Sequence, residues 1–112
     1  MLYIDQDNNI KLTRGDTAAI DIEITDASGE PYNMQTSDSL IFTVKRMYND
    51  SAEVIRKELQ TPVLILTSDD TKDLSFGKYR FDIYIYNSET HNLDTFIYER
   101  IFEIAEEVHD FE

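Results

Sequence analysis

Period-two alternation of apolar and polar residues, turn residues at short intervals and the lack of any long helix-periodic segment predict an all-β fold for this chain. The expected architecture is an immunoglobulin-like β-sandwich of about seven strands with one short helical turn near residues 69–74. The clearest segment follows Gly77. Tyr79, Phe81, Ile83 and Ile85 alternate with Arg80, Asp82, Tyr84 and Tyr86, so one set faces a core and the other faces away. Tyr79 opens this strand just after a corner. That is the position of the corner tyrosine of immunoglobulin-like sandwiches, whose ring is buried and whose hydroxyl bonds backbone a few residues upstream. Phe81 stands where an antibody-type domain carries its second cysteine, so the expected sandwich is not of that type.

The other elements follow the same logic. Ile10 to Thr13 alternates as a short strand, and Arg14-Gly15-Asp16 is a turn. From Thr17 to Thr25, Ile20, Ile22 and Ile24 share one face of a strong strand. Asp26 to Pro31 is a loop, and Tyr32 to Ser39 a connection. Leu40 to Arg46 is a strand with Leu40, Phe42 and Val44 inward, and Met47 to Ser51 is a turn. Val54 to Lys57 reads as an edge strand protected by its charges. Val63 to Thr67 is a strand after Pro62. Ser68 to Leu74 is one helical turn, capped by Ser68 or Asp69 and acidic in its first turn. Asn87 to Asn92 is a hairpin loop. The last strand, Leu93 to Ile104, changes parity between Ile97 and Phe102, which calls for a β-bulge near Glu99 to Ile101. An acidic tail of about residues 106–112 closes a single domain spanning 1–112.

Composition narrows the function. The chain of 112 residues is 41% hydrophobic and 12% aromatic, enough for one core without covalent staples. It has no cysteine, which excludes disulfides and thiolate metal sites. A net charge of −13 repels nucleic-acid phosphates, anionic membrane surfaces and acidic partners. What remains is a solvated acidic surface or a basic protein partner. No apolar run is long enough for a membrane span, and the first residues lack a signal-peptide pattern, so synthesis in the cytoplasm and a soluble product are expected.

No catalytic, cofactor-binding or metal-binding residues are expected. His91 lies in a loop and His109 in the tail, and neither has a recognisable nucleophile or acid partner in the sequence. Asp69, Asp70 and Asp73 lack the central glycine and final glutamate of an EF-hand loop and read as helix-capping acids. Arg14-Gly15-Asp16 spells an adhesion tripeptide and Asn49-Asp50-Ser51 a glycosylation sequon, but both read as turns. The outward aromatics are the candidate site. Tyr84 and Tyr86 face away from the core, and Tyr98 on the neighbouring last strand joins them. Tyrosine is favoured at interfaces because it is large and amphipathic. The competing reading is cross-strand pairing on an open sheet face.

The whole chain carries a further pattern. It runs from Arg14-Gly15-Asp16-Thr17 and the Ile20-Ile22-Ile24 strand through Asp26, Gly29 and Pro31-Tyr32 to Leu40-Ile41-Phe42-Thr43-Val44-Lys45. Leu66-Thr67, Asp70-Thr71, Leu74, Gly77-Lys78-Tyr79, Phe81-Asp82-Ile83, Thr95 and Phe102-Glu103-Ile104 complete it. Over about residues 8–108 this resembles the small N-terminal β-sandwich domain of the phage baseplate upper protein family, found in tailed phages and in prophages of Gram-positive bacteria. The resemblance implies a non-enzymatic structural protein of the virion. Such a module attaches tail fibres or receptor-binding proteins, with other tail and baseplate proteins as partners, a homo-oligomer within the assembly, and no cofactor. A long C-terminal region usually follows this domain in that family, so a stand-alone accessory protein or an excised domain is expected. The alternative is a carbohydrate-binding module that uses tyrosines as sugar platforms. The absence of tryptophan weighs against it.

Overall fold

The structure is a computed structural model that describes residues 1–47 and 49–106. The expected acidic tail from residue 107 onward, with His109, lies outside the described residues. Among the described residues strands account for 51% and helix for 4%, which makes the protein all-β. In chain order the elements are β1 (Leu2–Ile4), β2 (Ile10–Thr13), β3 (Ala18–Asp21), β4 (Asp38–Lys45), β5 (Ile55–Leu59), β6 (Val63–Leu66), α1 (Ser68–Thr71), β7 (Gly77–Asn87) and β8 (Leu93–Ala105). No described helix is long and apolar enough to cross a membrane.

Two sheets result. The larger has the order β1-β2-β8-β7-β4-β5, and the smaller pairs β3 with β6. All neighbours are antiparallel except β2 and β8, which run parallel with Leu12 opposite Ile104. One hydrophobic cluster joins the sheets. Phe42, Phe81 and Phe102 come from adjacent strands, with ring centroids 5.4, 6.0 and 6.5 Å apart, and Leu64 and Leu66 of β6 pack into the same cluster. Tilted and edge-on ring pairs of this kind add to the burial of their large apolar area.

Several expectations need correction. Among the described residues there are eight strands where about seven were expected, because Leu2–Ile4 pairs with β2. β3 leaves the ladder after Asp21 instead of running to Thr25. Ile22 still donates to the Pro62 carbonyl at 2.8 Å, but Pro62 has no N–H to return and the chain diverges. β4 begins at Asp38, inside the expected connection. The helix cap is Thr67, one residue before the expected position. The Asp70 side chain accepts from the Thr67 backbone N–H at 2.8 Å, the reciprocal half of a capping box.

The parity change in β8 is met by register shifts opposite Phe81/Ile83 and Ile83/Tyr84. Glu99 takes a left-handed backbone with φ of 53°. The bulge frees a backbone group, and Asn9 takes it up. The Ile101 N–H donates to Asn9 Oδ1 at 2.8 Å, while the Asn9 N–H and side-chain amide are themselves held by Asp5.

Candidate functional site

The outer face of the larger sheet carries the candidate residues. On β4 the outward positions are Ser39, Ile41, Thr43 and Lys45. On β7 they are Arg80, Asp82, Tyr84 and Tyr86. The register sets them in rows: Ser39 beside Tyr86 beside Leu93, Ile41 beside Tyr84 beside Thr95, and Thr43 beside Asp82. Tyr98 lines a shallow depression of about 60 Å³ with Thr43, Lys45, Arg80, Asp82 and Glu99, which puts it in the Asp82 row. The structure therefore brings Tyr84, Tyr86 and Tyr98 onto one face in successive rows.

Their exposures differ. Tyr84 and Tyr86 are half-buried, whereas Tyr98 is 59% exposed and Leu93, in the Tyr86 row, is 58% exposed. The floor between them is unusually dry for an outward face. Ile41 is only 4% exposed and Thr43 7%, although neither belongs to the inner core cluster. Half-buried rings over an apolar floor are pre-positioned contact groups that lose little side-chain freedom on docking.

Hydrogen bonds and charge shape this face further. The Tyr86 hydroxyl lies 2.9 Å from His91 Nδ1, and the rings are 6.3 Å apart. His91 is an exposed hairpin residue whose ring lies beside that of Tyr86. Asp82 lies mid-face, and burial pushes its carboxyl above the usual aspartate range. Lys45 opposes that rise and Glu53 adds to it.

Residue reasoning missed Ile41, Thr43, Leu93 and Asp82. One signal was present: Leu40-Ile41-Phe42 puts apolar residues on both faces of β4, which a strand open to water on one side does not need.

The remaining motifs are structural. The Asp70 carboxylate accepts from the Thr67 N–H and pairs with Lys57 Nζ at 2.9 Å, and Asp69 pairs with Lys72 at 2.9 Å. Among the described residues no group of three or more His, Asp or Glu side chains could hold a metal ion. In the adhesion-like tripeptide, Arg14 lies 4.2 Å over the Phe76 ring, Gly15 is bonded to α1, and Asp16 pairs with the terminal amine of Met1. Those contacts leave it no free loop to present.

Comparison with protein families, with curated proteins and with solved structures returns no match for this chain.

Proposed function

We propose that this chain is a non-enzymatic module of a phage or prophage tail that attaches a fibre or receptor-binding protein to the baseplate through the tyrosine-bearing outer face. The observation that carries the reading is the Ile41 floor flanked by Tyr84 and Tyr86 and extended by Leu93 and Tyr98. An aromatic patch with an apolar centre and a charged rim of Lys45, Glu58 and Arg80 has the anatomy of a protein contact.

The finer fold assignment, an immunoglobulin-like sandwich, belongs to the same proposal. Its support is the strand order. β4, β7 and β8 lie together in one sheet opposite the β3–β6 pair, as C, F and G lie opposite B and E. Its second support is Tyr79, 3% exposed, whose hydroxyl donates to the Ser75 carbonyl at 2.8 Å. Phe81, at the place of the second cysteine, packs on Phe42 of β4 instead of closing a disulfide.

Sedimentation of the chain alone and with baseplate and fibre proteins tests the function. The wild type assembles. Changing Tyr84 and Tyr86 together to serine weakens assembly by roughly 2–4 kcal/mol, the scale of central interface anchors, with a smaller effect on folding. A strictly monomeric wild type that binds no tail protein but retains a cell-wall sugar shifts the assignment to the carbohydrate-binding alternative.

A further inference from the structure

We propose that the open edge of β3 is an acceptor for an added strand, and that its occupant is an extended segment of another protein with alternating apolar and basic residues. This surface lies on the smaller sheet, and the inference does not depend on the role given to the tyrosine face.

Among the described residues the smaller sheet has only β3 and β6, so β3 has a described partner on one side alone. The Ile22 N–H bonds the Pro62 carbonyl, and Ile20 stands opposite Leu64. In an antiparallel ladder the bonded pairs alternate, so the backbone groups of Ala19 and Asp21 point the other way, toward the open edge. A row of unused N–H and C=O groups of this kind is a template for a further strand.

Beneath that edge the sandwich is incompletely closed. A groove of about 460 Å³ runs between β3 and the far part of the larger sheet, and its apolar lining includes Ile4, Ile20, Ile22, Ile83, Phe96 and Ile97. Among the described residues, the mismatch of six strands against two leaves the inward side of β8 at Phe96 and Ile97 without a strand opposite. An entering strand would place every second side chain into this groove. The stretch of chain that borders it, the end of β3 and the residues that follow as far as Thr25, suits a segment of about five or six residues at roughly 3.3 Å each.

Charge selects the occupant. Asp21 and Glu23 border the groove on the same chain segment, and both are exposed. A neighbouring strand sets its side chains roughly 5 Å from theirs, where lysine or arginine is favoured and a carboxylate is opposed. The net charge of −13 also disfavours a second copy of this chain as the occupant.

The test uses the full chain with two synthetic seven-residue peptides, one alternating lysine with valine and the other alternating glutamate with valine. Binding is followed by calorimetry and by amide chemical shifts. The lysine peptide binds at least about tenfold more tightly than the glutamate peptide, with shifts centred on Ala19, Asp21 and Glu23. Ala19→Pro removes an N–H that the β6 pairing does not use. It abolishes binding while the melting curve shows a folded protein. The pair Asp21→Lys and Glu23→Lys reverses the peptide preference and serves as a second variant should the proline fail to fold. Equal or absent binding of the two peptides overturns the proposal. Shifts confined to the tyrosine face also overturn it. A dimer of the chain alone that Ala19→Pro dissociates identifies a second copy as occupant and refutes the basic segment.

Discussion

The Gly15 N–H donates to the hydroxyl of Thr71 at 2.8 Å, joining the turn after β2 to the short helix α1 across 56 positions of sequence. The bond is reciprocated, since the Ser68 hydroxyl donates to the Gly15 carbonyl. Gly15 has φ of 84°, a left-handed conformation that glycine adopts without a Cβ penalty. Two short, irregular segments thus satisfy each other's buried polar groups, and neither would hold its shape alone.

Thr71 is fully buried, so Thr71→Val keeps the shape and leaves the Gly15 N–H without its acceptor. The expected loss is about 1–3 kcal/mol of stability, read from the denaturant midpoint. Thr71→Ser keeps the hydroxyl and should be the milder change. A valine variant as stable as the wild type would show that water replaces the hydroxyl.

Tyr79→Phe removes the donor to the Ser75 carbonyl while the ring stays buried beneath Arg46, whose guanidinium lies 5.6 Å from the ring centre. Loss of about 1–2 kcal/mol is expected, with unchanged secondary structure by circular dichroism. An unaltered midpoint would separate this tyrosine from a stabilising corner role.

Much of the fold was legible because alternation is a local signal. Tyr79, Phe81 and Ile83 are buried as their parity demands, and the β8 bulge lies within two residues of the place the parity change indicated. β1 was not legible. Its three residues are all exposed, too few and too uniform to show a period. Nor was the Gly15–Thr71 bond, which depends on how two distant turns meet. The same holds for the candidate face. The outward parity of Tyr84 and Tyr86 can be read along one strand, but Ile41 beside Tyr84 is a product of register between strands.

Asp38 governs part of the acid response. It is 2% exposed, and burial alone would push its carboxyl up. The Gln35 N–H at 2.9 Å, the Tyr32 hydroxyl at 2.6 Å and the Asn87 amide at 2.8 Å outweigh burial and hold it below the usual aspartate value of 3.8. A lowered folded-state value favours the ionised form in the folded protein. Its stability contribution is therefore present above pH 3.8 and is lost as the pH falls from there through the folded-state value. Asp5, Asp26 and Asp70 shift in the same direction. Stability measured by denaturant titration should hold from neutral pH down to about pH 5 and fall at lower pH. Asp38→Asn should cost about 1–3 kcal/mol at neutral pH and make the acid limb shallower, since the mismatched amide no longer titrates.

Asp82 has the opposite sign and sits in the candidate interface. Burial between the outward side chains of β4 and β8 raises its carboxyl above 3.8, with Lys45 only partly offsetting this and Glu53 adding repulsion. The folded protein then binds the proton more tightly than the unfolded chain. Stability from this group is full below pH 3.8 and is lost as the pH rises through the folded-state value. At neutral pH the charge is unfavourable, so Asp82→Asn should stabilise the isolated chain by a few tenths to about 1 kcal/mol, the scale of a partly screened charge. The gain should vanish near pH 3, where wild-type Asp82 is itself protonated. If the tyrosine face docks a partner, the same substitution should weaken that complex, because the carboxylate lies in the row next to Tyr84 and is available to a donor on the partner. Denaturant titrations at pH 3 and pH 7, set beside sedimentation with the baseplate proteins, separate the two effects. A variant more stable alone and weaker in complex marks Asp82 as a binding residue, and one unchanged in complex removes it from the interface.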